Sequence, residues 1–154
     1  MNNKTLLAVL FSTTLSCLSF NSLAIHEPRD ESAGDPPKYE VNCPKGATDA
    51  STCKVDKGTY IGWRTFSTTC QVCHGGSGMG STFAPNLMER FNKEGVDYPR
   101  FKYAVTHGYH GHVGAMPAWD KNPQVMKNLD NLYRYLKAHA DDTLPEGRPA
   151  RMKN

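Results

Sequence analysis

The stretch Cys70-Gln71-Val72-Cys73-His74, which reads CQVCH, places two thiols three positions apart with a histidine directly behind them. This pattern suits three chemistries, which are zinc binding, disulfide exchange and covalent attachment of a cofactor through both sulfur atoms. The compartment that the chain reaches and the residues around the motif discriminate between these alternatives.

The first 24 residues have the layout of an export signal. Lys4 gives a positive start, residues 6–11 an apolar run, and Ser22-Leu23-Ala24 a small-x-small cleavage site. Polar residues interrupt the apolar run before it reaches the ~20 residues that a membrane-spanning helix needs. We therefore expect residues 1–24 to be removed on export to the periplasm, which leaves a mature chain without a membrane span.

The composition is that of one globular domain. The 154 residues are 38% hydrophobic and 21% charged, with a formal net charge of +3. Proteins that bind nucleic acid usually carry a stronger basic stripe than this. We expect a monomer that binds no nucleic acid.

Loss of the export signal removes Cys17 and leaves four cysteines. Cys43 and Cys53 bracket a loop rich in turn-forming residues, and exported proteins meet oxidising conditions. We therefore expect a Cys43–Cys53 disulfide. The remaining pair, Cys70 and Cys73, belongs to the CQVCH motif.

The surroundings of the motif favour one of the three chemistries. A structural zinc site commonly has a second cysteine or histidine pair at comparable spacing, and none follows. A redox pair of the thioredoxin type is expected in a βαβ setting, whereas this chain has helical patterns and Gly-rich loops. C-x-x-C-H in an exported chain is the attachment signature of haem c. We predict thioether bonds from Cys70 and Cys73, with His74 as the iron ligand on one side.

Helical patterns flank the motif. Trp63, Phe66 and Cys70 have the spacing of one helix face, with Asp56 as the N-cap. A short helix is predicted from Tyr98 to His107, beginning at Pro99 and ending at Gly108. A last helix is predicted from Asn122-Pro123 through Leu136, with Tyr133 and Tyr135 on different faces, one buried and one more exposed. No segment alternates clearly as a strand does, so the predicted fold class is all-α with long loops.

These residues resemble the class I single-haem cytochromes c over most of residues 57–140. The matching positions are Gly62, Phe66, the CQVCH motif, Ala84-Pro85-Asn86-Leu87 (where the family usually has Gly in place of Ala84) and residues 132–137. The resemblance implies that the Pro85 carbonyl orients His74. It also implies that the last helix crosses the first at Gly62.

The second iron ligand is predicted to be Met116. It lies in the irregular segment Gly114-Ala115-Met116-Pro117, which is free of helical constraint and resembles the family's Met-Pro ligand motif. Three other methionines are less suitable: Met79 is too close to His74, Met126 lies on the last helix at core spacing, and Met88, after the proline loop, is also expected to pack in the core. Among His107, His110 and His112, the main alternative is His112. Copper binding by these histidines is a further alternative.

Ligation by His74 and Met116 closes both axial positions and implies a one-electron carrier with no catalytic residues. The alternatives are a haem enzyme or gas sensor with an open sixth position, or a generic carrier of another respiratory chain. Four segments resemble small cytochromes of bacterial methanol and ethanol oxidation: the leader that contains Cys43 and Cys53, and the stretches STFAPNL, GAMPAW and LPEGRPAR. That resemblance implies a quinoprotein alcohol dehydrogenase, carrying pyrroloquinoline quinone, as donor and a downstream cytochrome or terminal oxidase as acceptor.

The predicted organisation has four parts. Residues 1–24 are the signal peptide, residues 25–56 an N-terminal extension braced by the Cys43–Cys53 loop, residues 57–140 the cytochrome c domain, and residues 141–154 a C-terminal tail. Residues 26–40 are polar and Pro-rich, and we expect them to form a loose arm.

Overall fold

A computed structural model of the chain describes residues 27–111 and 114–153. These residues form six α-helices: α1 (Lys57–Thr65), α2 (Gln71–His74), α3 (Leu87–Asn92), α4 (Tyr98–His107), α5 (Pro123–Lys127) and α6 (Leu129–Ala140). They also form five two-residue strands: β1 (Val41–Asn42), β2 (Lys54–Val55), β3 (Tyr109–His110), β4 (Ala115–Met116) and β5 (Ala150–Arg151). The helical expectation is thus confirmed in outline, and the expectation of a chain without strands is wrong. The predicted signal peptide lies outside the described residues.

Helix α1 begins where its cap predicts. The Asp56 carboxylate accepts hydrogen bonds from the backbone N–H groups of Gly58 and Thr59, which have no partner within the helix. A single π-helical segment, Phe66–Cys70, joins α1 to α2. No helix in residues 27–111 or 114–153 is long and apolar enough to cross a bilayer.

The centre of the fold is the crossing of α1 and α6. Gly62 of α1 lies against the backbone of Asn131, and a Cβ atom added to Gly62 would come within 1.8 Å of the Asn131 carbonyl oxygen. One turn further on, the rings of Phe66 and Tyr135 pack with their centroids 5.5 Å apart. The missing side chain of Gly62 therefore sets how closely the two helices approach.

Helix α6 is covered on two sides, which corrects the prediction for its tyrosines. Tyr135 packs towards α1, whereas Tyr133 packs against an aromatic group from α3 and α4 that comprises Phe91, Tyr98 and Phe101. Both tyrosines are buried, with 4% of Tyr133 and 1% of Tyr135 exposed. The expectation that one of them is exposed is wrong because packing of α3 and α4 covers the second face.

The single helix predicted from Asn122 is divided in two. Asn122 caps α5 as expected, with Pro123 in the first turn. Asn128 then adopts φ −112° and ψ 17°, and its side chain donates to the Gln124 carbonyl and accepts from Asn131. Asparagine competes for backbone hydrogen bonds in this way, and α6 starts afresh at Leu129.

A small sheet ties the segment before α1 to the segment after α6. Strand β2 pairs antiparallel with β1 and parallel with β5. The Cys43–Cys53 disulfide is present, which confirms that prediction, and Cys53 is fully buried. The sheet and the disulfide together hold both flanking segments against the helical core.

Loss of this disulfide is expected to lower the free energy of unfolding by about 3 kcal/mol, because the cross-link limits the freedom of the unfolded chain. The measurement is the denaturant midpoint of a Cys43→Ala/Cys53→Ala variant, compared with wild-type protein treated with a reductant. An unchanged midpoint in both would contradict the expectation.

Residues 27–30 of the N-terminal arm are bound to α4 and to its cap Asp97, so the expectation of a loose arm is wrong for these residues. Arg29 pairs with Asp97 at 2.6 Å, Lys102 pairs with Asp30 at 3.1 Å, and Arg100 pairs with Glu27. The Asp30 backbone N–H also donates to the Pro99 carbonyl. Exposed ion pairs contribute little one by one, but here three of them join the same two segments.

His139 is expected to make stability depend on pH. Its ring is 7% exposed and lies edge-on to Tyr135, and burial lowers the pKa of His139 to about 4, while a hydrogen bond with the Leu144 backbone opposes the shift. As the pH falls below about 6.5, His139 binds a proton in the unfolded chain, whereas in the folded chain it does so only near pH 4. Stability therefore falls as the pH is lowered from about 6.5 to about 4. We expect a loss of about 2 kcal/mol between pH 7 and pH 5.

Denaturant unfolding at the two pH values tests this, with His139→Gln as the matched variant. The variant is expected to show the smaller loss between pH 7 and pH 5. Equal losses in the two proteins would show that another group controls the pH dependence.

Candidate haem site

The thiols and the imidazole of CQVCH lie along one short stretch of helix. Cys70 ends the π-helical segment, and Cys73 and His74 lie in the last turn of α2. Residues three and four apart project from the same side of a helix, so Cys70, Cys73 and His74 share a face. Neither cysteine takes part in a disulfide, and Cys70 is partly buried whereas Cys73 is exposed.

The environment of the thiols does not fit disulfide exchange. Burial, reinforced by the nearby Cys73, raises the pKa of Cys70 to about 11. Cysteines that exchange disulfides have a lowered pKa, because the thiolate is the attacking species. No group of three side chains that could hold a metal ion occurs among residues 27–111 and 114–153.

The surroundings of His74 favour its neutral form, which is the form that can bind a metal ion. Burial lowers the pKa of His74, and an interaction with the Pro85 backbone acts in the opposite direction. Nδ1 of His74 is buried, yet it makes no hydrogen bond of acceptable geometry. The Pro85 carbonyl is thus near the ring without forming the full hydrogen bond that the resemblance implies.

The loop after the motif folds back over the end of α2. The Gly80 backbone N–H donates to the His74 carbonyl at 2.8 Å, and the Ser81 hydroxyl donates to the Cys73 carbonyl. The orphan carbonyls at the end of α2 are satisfied in this way. This turn leads into Pro85, next to His74, and the Asn86 side chain then caps α3.

Met116 lies on a short hairpin that is fixed to the end of α4. Strand β4 pairs antiparallel with β3, with Met116 opposite Tyr109. The predicted irregular segment is therefore partly a strand. Hydrogen bonds with another segment of the chain define this strand, and its own sequence does not indicate it. Met116 is partly buried and packs against the hydrophobic core.

Gly108 is the contact between the hairpin and α4. It ends α4 with φ +81°, and a Cβ atom there would lie 2.6 Å from the Met116 carbonyl oxygen. Just beyond, the Trp119 N–H donates to the Val105 carbonyl at 3.0 Å. The sequence marks Gly108 as a helix end, but only the structure shows that it also supports Met116.

The other candidate ligands differ in their surroundings. Met79 is exposed, and Met88 and Met126 are partly buried against the core, as a packing role predicts. The ring of His107 stacks on Tyr103, and His110 is exposed. His112 lies outside the described residues.

Comparison with known proteins identifies the family. Residues 59–136 match the family model described as cytochrome C oxidase, cbb3-type, subunit III. The chain is 35% identical to cytochrome c-555 of Methylococcus capsulatus over 66% of this chain and 78% of the relative. It is 35% identical to cytochrome c-553I of Paracoccus denitrificans over 79% of this chain and 51% of the relative.

A solved structure shows the same relationship. The c-type cytochrome XoxG from Methylobacterium extorquens AM1 is 36% identical, with a TM-score of 0.59 over 66% of this chain and 62% of that chain. The chain thus spans about half of cytochrome c-553I and less than two thirds of XoxG.

This chain belongs to the cytochrome c family, and it resembles the small class I members. It carries a covalently bound haem c and is an electron carrier. The residues fit a haem c, because two thiols and a neutral imidazole share one helix face. Met116, on the β3–β4 hairpin, is a thioether that could serve as a second ligand.

Proposed function

We propose that this protein is a periplasmic one-electron carrier whose haem is attached through Cys70 and Cys73 and ligated by His74 and Met116. The haem supplies an iron that gains and loses one electron. The observation that carries the proposal is the common helix face of the two thiols and the imidazole, with Nδ1 of His74 buried beside Pro85.

The protein's own residues position the group and restrict what reaches it. The Pro85 carbonyl opposes rotation of the His74 ring, and the close backbone contact at Gly108 holds the Met116 hairpin to α4. With both His74 and Met116 as ligands, the iron would have no open position for oxygen or a substrate, so we propose electron transfer and no catalysis.

The donor that we propose is a quinoprotein alcohol dehydrogenase carrying pyrroloquinoline quinone, and the acceptor is a downstream cytochrome or terminal oxidase. The support is the resemblance of the leader and of STFAPNL, GAMPAW and LPEGRPAR to cytochromes of methanol and ethanol oxidation. Oxidation of one alcohol releases two electrons, so each turnover reduces two molecules of this protein.

The flanking segments act as a brace in this proposal. Residues 25–56 and 141–154 surround a haem domain of residues 57–140, and the sheet of β1, β2 and β5 joins the two segments. The Ala50 N–H also donates to the Glu146 carbonyl at 2.8 Å, next to the disulfide loop.

Mixing the oxidised protein with a purified quinoprotein alcohol dehydrogenase and methanol or ethanol tests the donor. We expect two haems to be reduced for each alcohol oxidised, followed by absorbance, and no reduction when alcohol is omitted. Reduction no faster than in the mixture without alcohol would remove the proposed donor and leave a generic carrier. Ready binding of carbon monoxide by the reduced protein would instead favour the gas-sensor alternative.

A further inference from the structure

Two segments of the chain carry no charged side chains apart from histidines. Residues 65–88 and 103–119 contain none of the 18 basic and 15 acidic residues. The first segment includes CQVCH and the loop behind it, and the second includes the end of α4 and the β3–β4 hairpin. All the charges are therefore confined to the remainder of the chain.

These two segments meet beside the haem-attachment motif. The Phe83 N–H donates at 3.0 Å to the Ser81 hydroxyl, which in turn donates to the Cys73 carbonyl. On its other side, the Phe83 carbonyl oxygen lies 3.6 Å from where a Cβ atom of Gly114 would be. The motif and its loop thus adjoin the hairpin at Gly114. We call the described residues of the two segments, 65–88, 103–111 and 114–119, the uncharged face.

The uncharged face exposes large apolar side chains. Val72 is 80% exposed, Phe83 72% and Met79 44%. These three are the large hydrophobic residues that stand out as exposed among the described residues, and all lie in residues 65–88. Exposed apolar side chains that gather in one place commonly mark an interaction site.

Val72 stays exposed whatever the motif holds. Successive residues of an α-helix are about 100° apart, so Val72 lies roughly 160° around the helix from both Cys70 and His74. A group bound by those two side chains is on the opposite side. Val72 therefore remains exposed when the motif holds its group.

Two arginines from other segments border this face, and each has acidic side chains nearby. Arg148 lines a pocket with Ser67 and Gln71 of the first uncharged segment, and Asp49 and Glu146 line the same pocket. The Arg90 guanidinium lies 5.2 Å from the centre of the Tyr109 ring, in the second uncharged segment. It forms an ion pair with Glu94, one turn further along the chain. This pair adds little net charge to the neighbouring surface.

We propose that the uncharged face is the docking surface for an electron-transfer protein whose own contact surface is uncharged and apolar. A charged partner surface would lose its hydration here without gaining an opposite charge, which disfavours docking. Burial of Val72 and Phe83 against apolar side chains favours it. The inference rests on the electron-carrier function and does not depend on which donor is correct.

Electron self-exchange tests the inference, because two copies of the protein present this face to each other. One electron passes from the reduced to the oxidised copy, and no atom or proton moves. The probe is a mixture of the two forms near pH 8, and the rate is measured by nuclear magnetic resonance. We expect the rate to change by less than about twofold between about 0.02 M and about 0.5 M salt, since salt screens only charged encounters.

Two variants with the same change of net charge show where docking occurs. When two copies of Val72→Glu meet through this face, their new negative charges repel each other. The self-exchange rate of this variant is therefore expected to fall about tenfold at low salt and to recover as salt is added. Lys54→Gln lies on β2, outside both uncharged segments, and is expected to stay within about twofold of wild type. Unchanged absorption spectra and thermal midpoints establish that both variants are folded.

The inference is overturned if the wild-type rate changes more steeply with salt than expected, or if Val72→Glu behaves like Lys54→Gln. Binding of the two oxidised variants to wild-type protein, followed by resonance broadening, provides a readout independent of electron transfer. Failure of the alcohol dehydrogenase to reduce the protein affects neither measurement, so the two proposals fail separately.

Discussion

Gly62→Ala is expected to lower the free energy of unfolding by on the order of 4 kcal/mol, which is a large part of the stability of a domain of this size. The added Cβ would lie 1.8 Å from the Asn131 carbonyl oxygen and 2.9 Å from the Cβ of Tyr135. Backbone cannot withdraw as a flexible side chain can, so α1 and α6 must separate along their crossing.

The measurement is denaturant unfolding of the haem-loaded protein, with Gly76→Ala as the matched control. Gly76 also lies close to the motif, but nothing lies within 4 Å of where its Cβ would be. We expect the control to unfold within about 0.5 kcal/mol of wild type. Equal stability of Gly62→Ala and wild type would contradict the close crossing of the two helices.

Met116→Ala is expected to abolish the weak long-wavelength sulfur-to-iron charge-transfer band of the oxidised protein. Loss of the thioether also lowers the reduction potential, by on the order of 0.2 V within the ~0.8 V range that axial ligands span. The haem stays attached, because Cys70 and Cys73 are unchanged. The measurements are the oxidised absorption spectrum and a redox titration.

Two further variants separate ligation from general disturbance. Met79→Ala removes an exposed methionine and is expected to keep the band. Gly108→Ala leaves every candidate ligand in place but inserts a Cβ 2.6 Å from the Met116 carbonyl oxygen, so it is expected to weaken the band in part. A band that survives in Met116→Ala and disappears in a Met88 or Met126 variant would transfer the ligand role to that residue.

Features encoded in a few neighbouring residues could be predicted from the sequence. The Asp56 and Asn122 caps fix where α1 and α5 begin, because each carboxylate or amide satisfies nearby backbone N–H groups. The Cys43–Cys53 disulfide follows from the pairing of the cysteines that remain after export. The CQVCH motif indicates its chemistry because its spacing is itself the geometry of attachment.

Features that depend on distant partners could not be predicted. Two-residue strands such as β4 have no alternation to detect, and they exist because another segment pairs with them. The arm around Arg29 is polar enough to be a loose segment, but ion pairs with α4 and its cap and a backbone hydrogen bond to Pro99 hold it. Tyr133 is buried by helices that its own periodicity does not identify. The role of Gly108 likewise depends on residues eight positions away.

The crossing at Gly62 also bears on the order in which the mature protein is assembled. Helix α1 finds its partner only after residues 129–140 have been synthesised, and β2 gains its parallel neighbour only after residues 150–151. Until then Cys70 and Cys73 belong to a chain that lacks this helix crossing, in which both sulfur atoms would be accessible for haem attachment. Packing of residues 129–140 and 150–151 would then enclose a haem that is already attached.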